Sequence, residues 1–179
     1  MTSIIKVNNI QNTSGSFSAT TTDLTNAPAF HAYHTSVVGQ SGVLTGLNNE
    51  NSFIYKGDLT SINTNNVYNT SNGRFTPAVA GKYWCYATMS PVSATSGFER
   101  TILRFLKNGT KYPASTSEFD TSFSQDSAEP TFLPVHISMI VELGASDYLE
   151  CQIFHDCESS FWELKANNCH FGGYKLIGV

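Results

Sequence analysis

The sequence has little charge and no long apolar run. Asp, Glu, Lys and Arg make up 13% of its 179 residues, roughly half the share typical of soluble domains. The net charge is −4, and the ten Lys and Arg residues form no basic patch, which excludes a nucleic-acid binder that works by bulk charge. The apolar runs are only a few residues long, so we expect no insertion into a membrane.

Signals for secretion and for helices are also missing. Residues 1–8 contain no apolar stretch followed by a cleavage site, as a secretory signal would. We therefore expect free, buried thiols at Cys85, Cys151, Cys157 and Cys169, with a Cys151–Cys169 disulfide as the alternative in an oxidising environment. Good helix formers never accumulate on one face of a helical period, which predicts a chain nearly free of helix.

Residues that bind zinc are present but poorly spaced for a site. The loose group contains no Cys-x-x-Cys pair and consists of His155, Cys157, Cys169 and His170. Such a pair is the usual mark of a structural zinc site, because it brings two thiolates to one metal ion. We therefore expect buried thiols on strands here and no metal.

Calcium sites and catalytic groups lack a pattern as well. Asp120, Asp126 and Glu129 do not alternate as the ligands of a calcium loop do. His31 and His34 lie three residues apart on a predicted strand, so their side chains should point to opposite faces. The chain has no Gly-x-Ser-x-Gly turn to expose a nucleophilic serine. We expect no enzyme activity, no cofactor and no metal site.

Strand patterns, by contrast, fill the chain, which has 21 Ser, 19 Thr and 15 Asn residues. Val135–Leu143 alternates apolar and polar residues with Ile140 as the exception, and the return strand should bury Leu149, Cys151 and Ile153. Gly81–Met89 is apolar on both faces, which indicates cover from a second sheet and from a partner subunit. Roughly eight to ten short strands of this kind predict a β-sandwich or barrel.

Three segments break this rhythm. Residues 1–27 are rich in Ser, Thr and Asn and have little to bury, so they are expected to form an extended attachment arm. Residues 110–131 are polar with scattered Phe, which predicts a long loop. A second loop is expected over residues 156–168, where Trp162 either caps the sandwich or contacts a ligand.

The spacing of a set of residues resembles the globular head of the complement C1q family, a relative of the tumour-necrosis-factor fold. The set runs in the same order as the family signature and consists of Asn63, Tyr68, Phe75, Gly81 and Tyr83. The final Phe171-Gly172-Gly173-Tyr174 and the Asn108-Gly109 hairpin also resemble that family. The likeness covers about residues 28–179, but Gly57, Cys85 and Ala87 stand where the family has aromatics.

This resemblance implies an all-β, ten-stranded antiparallel β-sandwich jelly roll over residues 28–179 that assembles as a homotrimer. Tyr68, Phe75 and Tyr83 are then expected to fill the core between the sheets. First and last strands are neighbours in the family's inner sheet. The residues expected at the trimer interface are therefore Phe30, Tyr33, Phe171 and Tyr174.

The opening residues 5–15 are similar to the start of virion proteins of marine tailed phages. The resemblance predicts a structural virion protein, assembled in the host cytoplasm, that decorates the capsid or forms a fibre tip. Residues 1–27 would attach it to other virion proteins. The alternative hypothesis is a receptor-binding module whose loops bind a host glycan or surface protein. An enzyme such as a glycosidase is least favoured, because no pair of carboxylates is evident.

Overall fold

The computed structural model describes residues 9–11, 14, 18–20, 27–36, 38–41, 52–93, 98–113, 118–122, 132–157 and 161–177. Their strands are β1 (Asn9–Gln11), β2 (Ser18–Thr20), β3 (Ala29–Tyr33), β4 (Val38–Ser41), β5 (Ser52–Ile54), β6 (Leu59–Asn63), β7 (Tyr68–Asn69), β8 (Arg74–Phe75), β9 (Gly81–Met89), β10 (Pro91–Ser93), β11 (Phe98–Lys107), β12 (Thr110–Tyr112), β13 (Glu118–Ser122), β14 (Val135–Leu143), β15 (Leu149–Cys157), β16 (Phe161–Leu164) and β17 (His170–Lys175). A single 3-10 turn spans Thr64–Asn66. No helix in these ranges is long and apolar enough to span a bilayer.

Two large antiparallel sheets make up the body. The five-stranded sheet has the order β14-β9-β17-β3-β6, and the seven-stranded sheet has the order β12-β11-β15-β8-β7 with β13 and β5 paired to its long strands. Strands β10, β16 and β4 form a third sheet, and β1 pairs with β2. The predicted all-β antiparallel sandwich is confirmed. The described residues divide it into more and shorter strands than the ten expected.

Alternation along the strands places the core between the two sheets. On β14, Val135, Val141 and Leu143 are buried whereas Ile140 is 53% exposed, so the predicted faces of this strand are confirmed. On β15, the expected inward residues Leu149, Cys151 and Ile153 are all fully buried. On β9, the buried residues are Tyr83, Cys85, Ala87 and Met89. Trp84 and Tyr86 therefore point outward, away from the core.

An aromatic cluster fills the centre of this core. The Phe30 ring lies 4.4 Å from Phe75, 5.1 Å from Tyr68 and 4.8 Å from Phe171, measured between ring centroids. Tyr83 packs edge-on against Phe75 at 5.5 Å. Tyr68, Phe75 and Tyr83, the residues predicted for the core, are 3%, 0% and 0% exposed. Edge-on and offset rings of this kind stabilise the cluster beyond the area they bury.

The positions of Phe30 and Phe171 correct the interface predicted from the sequence. Both lie inside the sandwich, with 2% and 0% of their surface exposed, so neither faces another subunit. Tyr33 lies three residues after Phe30 on β3, and Tyr174 lies three residues after Phe171 on β17. An odd separation on a strand turns a side chain to the opposite face, so the two tyrosines point outward where the two phenylalanines point inward.

The predicted loops are also corrected. Residues 110–131 contain β12 and β13, which both pair with β11, and residues 156–168 contain β16, which pairs with β4 and β10. In residues 1–27 the structure describes the short pair β1 and β2. The other parts of the predicted arm, and the Trp162 side chain, lie outside the described residues.

The hairpin predicted at Asn108-Gly109 joins β11 to β12. Both residues have positive φ, 52° and 78°, as the tight turn between two twisted strands requires.

The Asn108 side chain also accepts a hydrogen bond from Tyr148 N at 3.0 Å and donates one to Asp147 at 2.8 Å. The Asn108 amide, Gly144 N–H and Lys107 ammonium lower the pKa of Asp147 to about 2. This end of the sandwich is thus closed by a polar network.

Three of the four cysteines have described side chains, and all three are free and buried: Cys85, Cys151 and Cys169. The alternative disulfide between Cys151 and Cys169 is therefore not formed. Burial raises the pKa of the Cys169 thiol to about 11 and raises that of Cys85 and Cys151 as well. A thiol held in its neutral form is a poor nucleophile and a poor metal ligand. These residues act as small apolar core residues.

Candidate interaction surface

The outer face of the five-stranded sheet carries aromatic and histidine side chains in register. One row across the sheet runs through Tyr33, His170, Thr88 and His136. The next runs through Ile62, His31, Gly172, Tyr86 and Ser138, and the third through Ala29, Tyr174, Trp84 and Ile140. We call this surface, with Leu59 beside Tyr33, the aromatic–histidine face.

Exposed apolar side chains concentrate on the aromatic–histidine face. Among the described residues, six large hydrophobic side chains are exposed, and four of them lie here: Leu59 at 44%, Ile62 at 51%, Ile140 at 53% and Tyr174 at 38%. Single exposed hydrophobics are ordinary on protein surfaces, but a contiguous apolar patch marks a site of association.

Charged side chains, in contrast to the exposed apolar ones, are few on the aromatic–histidine face. Among the described outward residues of the five strands, the basic one is Lys82 and the acidic one is Glu142, and they face each other at one end of the sheet. Three ion pairs involve the seven-stranded sheet or the turn that leads into it: Arg74–Glu150, Arg100–Asp120 and Lys107–Asp147. One broad side of the molecule is therefore charged and the other is nearly uncharged. Depletion of charge is typical of the core of a protein–protein interface.

Two histidines meet near the centre of this face. His31 Nε2 and His170 Nδ1 are 3.2 Å apart, and His31 Nδ1 lies 2.6 Å from Ser61 Oγ. The ring of His31 also stacks near Tyr33 at 5.8 Å and Tyr86 at 6.4 Å between centroids. Burial lowers the pKa of His31, and the neighbouring His170 lowers it further. Burial thus favours the neutral form of His31, whose Nε2 lies within hydrogen-bond distance of His170 Nδ1.

The two glycines of Phe171-Gly172-Gly173-Tyr174 make room for one aromatic ring on each face of the sheet. A Cβ on Gly172 would lie 2.5 Å from the Tyr86 ring, so that ring lies directly over β17 on the outer side. A Cβ on Gly173 would lie 3.2 Å from Phe30 and 3.0 Å from Cys85 Sγ on the inner side. The motif therefore shapes both the core and the aromatic–histidine face.

Of the interface residues predicted from the sequence, the structure brings Tyr33 and Tyr174 to this face and leaves Phe30 and Phe171 in the core. The sequence reasoning missed the surface residues that lie between them: His31, Ile62, Trp84, Tyr86, Ile140 and His170. The signals were present, since Ile140 breaks the polar face of β14 and Gly81–Met89 is apolar on both faces. His31 and His34 do point to opposite sides, because His34 is fully buried.

In the described ranges, no three His, Cys, Asp or Glu side chains converge as a metal site would need. Asp120 receives two hydrogen bonds from Arg100, at 3.0 and 2.6 Å. Asp126, Glu129 and the Cys157 side chain lie outside the described residues. His155 lies in the buried interior beside Thr101 Oγ1 at 3.0 Å, away from the outer face where His170 lies.

Comparison with known proteins bears on the fold. No family model matches the chain, and no curated protein sequence matches it. Among solved structures, the chain is similar to the Eiger TNF of S. frugiperda, with a TM-score of 0.52 and 11% identity over 84% of this chain and 93% of that one. It has the C1q/TNF-like jelly-roll fold. The globular domain of zebrafish complement 1qA is also similar, with a TM-score of 0.47 and 18% identity over 83% of this chain and 96% of that one.

The jelly roll brings the first strand of the body next to the last, as the sequence resemblance implied. Strand β3 pairs antiparallel with β17, with Phe30 opposite Gly173 and His31 opposite Gly172. These two strands and β9 form the middle of the five-stranded sheet. Residues distant in sequence are therefore side by side on the aromatic–histidine face, and the aromatic core packs against the other side of the same strands.

Proposed function

We propose that the protein is a non-enzymatic interaction module that assembles as a homotrimer through the aromatic–histidine face. The observation that carries this proposal is the asymmetry of the sandwich, with exposed apolar side chains on one sheet and ion pairs on the other. A monomer would leave Leu59, Ile62, Ile140 and Tyr174 in water. Covering them with equivalent surfaces of other copies removes that apolar area from solvent.

The test is the oligomeric state of the full chain and of a variant with one charge added to this face. At micromolar concentration, light scattering coupled to gel filtration should give three times the 19.6 kDa chain mass. Ile140→Glu places a carboxylate on the exposed apolar row beside Trp84 and should yield monomers, because a buried unpaired charge is costly. Thr110→Glu is the matched control, since Thr110 is exposed on the seven-stranded sheet, and it should remain a trimer.

Two results would overturn the proposal. One is a monomeric wild-type chain at micromolar concentration. The other is an Ile140→Glu variant that stays as trimeric as Thr110→Glu while circular dichroism shows both to be folded. Either result would mean that the aromatic–histidine face does not hold copies of this chain together.

We propose further that the trimer is a structural component of a tailed-phage virion, attached to other virion proteins by residues 1–27. The similarity of residues 5–15 to the start of such virion proteins supports this role. The experiment is incorporation of a chain lacking residues 1–27 into particles, with the full chain as control. The truncated chain should form trimers and stay out of particles, whereas normal incorporation would refute the role. Binding of the purified trimer on a glycan array would favour the receptor-binding alternative.

A further inference from the structure

We infer that acidification weakens assembly through the aromatic–histidine face, with the His31–His170 pair as the group that takes up the proton. This inference rests on the proposed trimer and describes its regulation. The pair is made by two strands that are distant in sequence, β3 and β17, and it lies between the tyrosines that flank it on this face. Protonation of the pair would therefore place charge on the surface that meets another copy.

The geometry of the pair sets a limit on its charge. With 3.2 Å between His31 Nε2 and His170 Nδ1, one proton can lie between the two nitrogens, and the hydrogen bond needs one of them to act as acceptor. Ser61 Oγ lies 2.6 Å from the other ring nitrogen of His31 and can either donate or accept. When both rings are doubly protonated, the two nitrogens at 3.2 Å become two donors with like charge, so the contact is lost.

Asp58, exposed just before β6, raises the pKa of the buried His34, and His170 lowers it. The pKa of His31 is shifted by burial and by His170. Strand β6 contributes no ionisable residue over Leu59–Asn63, while β3, β17 and β9 contribute the phenols of Tyr33, Tyr174 and Tyr86. On β14 the ionisable residues that face the same side are His136 and Glu142, the latter opposite Lys82 of β9. Lys82 is four residues from Tyr86, roughly 13 Å along the strand. Glu142 and Lys82 are therefore remote from the pair and close to each other.

Assembly would bury the pair and strengthen this effect. Burial and His170 already lower the pKa of His31 in the single chain, and further loss of water disfavours the charged form more. The assembled state then binds fewer protons than the free chains. By linkage, assembly is favoured at high pH and weakens as the pH falls below about 6.5, the ordinary histidine pKa, because the pKa of His31 lies below that value in the free chain and lower still in the assembly.

The test measures the concentration at half-assembly of the full chain between pH 7.5 and 5.5 by sedimentation. Far-UV circular dichroism at each pH verifies that the chain is folded. We expect this concentration to rise at least tenfold on acidification in the wild type. It should change by less than threefold in His31→Gln and in His170→Gln. His155→Gln is the matched control, because His155 is buried on β15 of the seven-stranded sheet, away from this face, and it should keep the wild-type dependence. His136→Gln, with Thr88 Oγ1 as its neighbour at 3.0 Å, tests the third histidine of the face.

The outcomes separate this inference from the proposed function. A chain that is monomeric at every pH contradicts both. A trimer with no pH dependence leaves the proposed function intact and overturns the inference. The inference is also overturned if His136→Gln abolishes the pH dependence while His31→Gln keeps it. It is overturned as well if assembly strengthens on acidification.

Discussion

The side-chain amide of Asn63 makes two hydrogen bonds to the main chain of Tyr68. Asn63 Nδ2 donates to Tyr68 O at 3.0 Å, and Tyr68 N donates to Asn63 Oδ1 at 2.9 Å. The end of β6 is thereby held against the start of β7, and the tyrosine ring is aimed into the core next to Phe30. Its hydroxyl accepts a hydrogen bond from Gly57 N at 3.0 Å. The five-residue spacing noted in the sequence has this physical cause.

Replacing Asn63 by Ala should lower the free energy of unfolding by roughly 1–3 kcal/mol, because two hydrogen bonds are lost and the Tyr68 ring is no longer held in its orientation. Urea unfolding followed by tyrosine and tryptophan fluorescence measures this change. Protein concentration is held fixed, since assembly adds to apparent stability. Thr70→Ala, at an exposed position in the same segment, serves as the control. Equal midpoints for the two variants would show that the Asn63 contacts contribute little.

Local alternation made much of the sandwich predictable. The inward residues of β14 and β15 follow from period-2 patterns, because one face of each strand is buried and the other faces solvent. The core positions of Tyr68, Phe75 and Tyr83 are implied by the resemblance to the C1q family, and large rings suit the gap between two sheets. The faces of β14 and β15, by contrast, are decided by residues close together in the chain.

Features that depend on partners distant in sequence were mispredicted or missed. Phe30 and Tyr33 are both aromatic, so the local sequence does not show which of them is buried. Gly173 of β17 lies opposite Phe30 and leaves space for the Phe30 ring in the core. The strand β13 lies in a polar segment that has little to bury, and it forms because β11 offers a free edge. The His31–His170 contact joins residues 139 apart in sequence. No local pattern specifies such pairings.

The two glycines of β17 should respond differently to substitution by Ala. Gly173→Ala adds a methyl group 3.0 Å from Cys85 Sγ and 3.1 Å from Trp84 O in the packed core. Overpacking of this kind typically costs about 1–3 kcal/mol. Gly172→Ala meets the Tyr86 ring, which is only partly buried and can swing outward. We therefore expect Gly173→Ala to lower the urea midpoint clearly, and Gly172→Ala to lower it less while raising the concentration at half-assembly.

The pairing of Gly172 with Tyr86 allows a direct check of this explanation. In a Tyr86→Ala background the ring is gone, so adding Gly172→Ala should cause no further loss of assembly. A double-mutant cycle measured by sedimentation gives this coupling. Equal effects of Gly172→Ala with and without the Tyr86 ring would show that the glycine acts in some other way.

Buried His155 should make the folded chain less stable in mild acid. Desolvation lowers its pKa to about 3, and the side chain is fully buried beside Thr101 Oγ1 at 3.0 Å. Between this value and the ordinary histidine pKa near 6.5, the unfolded chain binds a proton that the folded chain does not. Stability therefore rises with pH across this window, by up to about 1.4 kcal/mol per pH unit from this residue, and the contribution levels off above it.

The prediction is that His155→Gln flattens the pH dependence of stability between pH 6.5 and 4. The variant is expected to be less stable than wild type at pH 8, because a close-packed site is disturbed, but its free energy of unfolding should fall less on acidification. His34, whose pKa burial also lowers, keeps part of the slope. Thr110→Gln, at an exposed position without a titratable group, should retain the full wild-type slope. Urea titrations at fixed concentration give these slopes, and equal slopes for His155→Gln and wild type would mean that His155 is protonated in the folded chain.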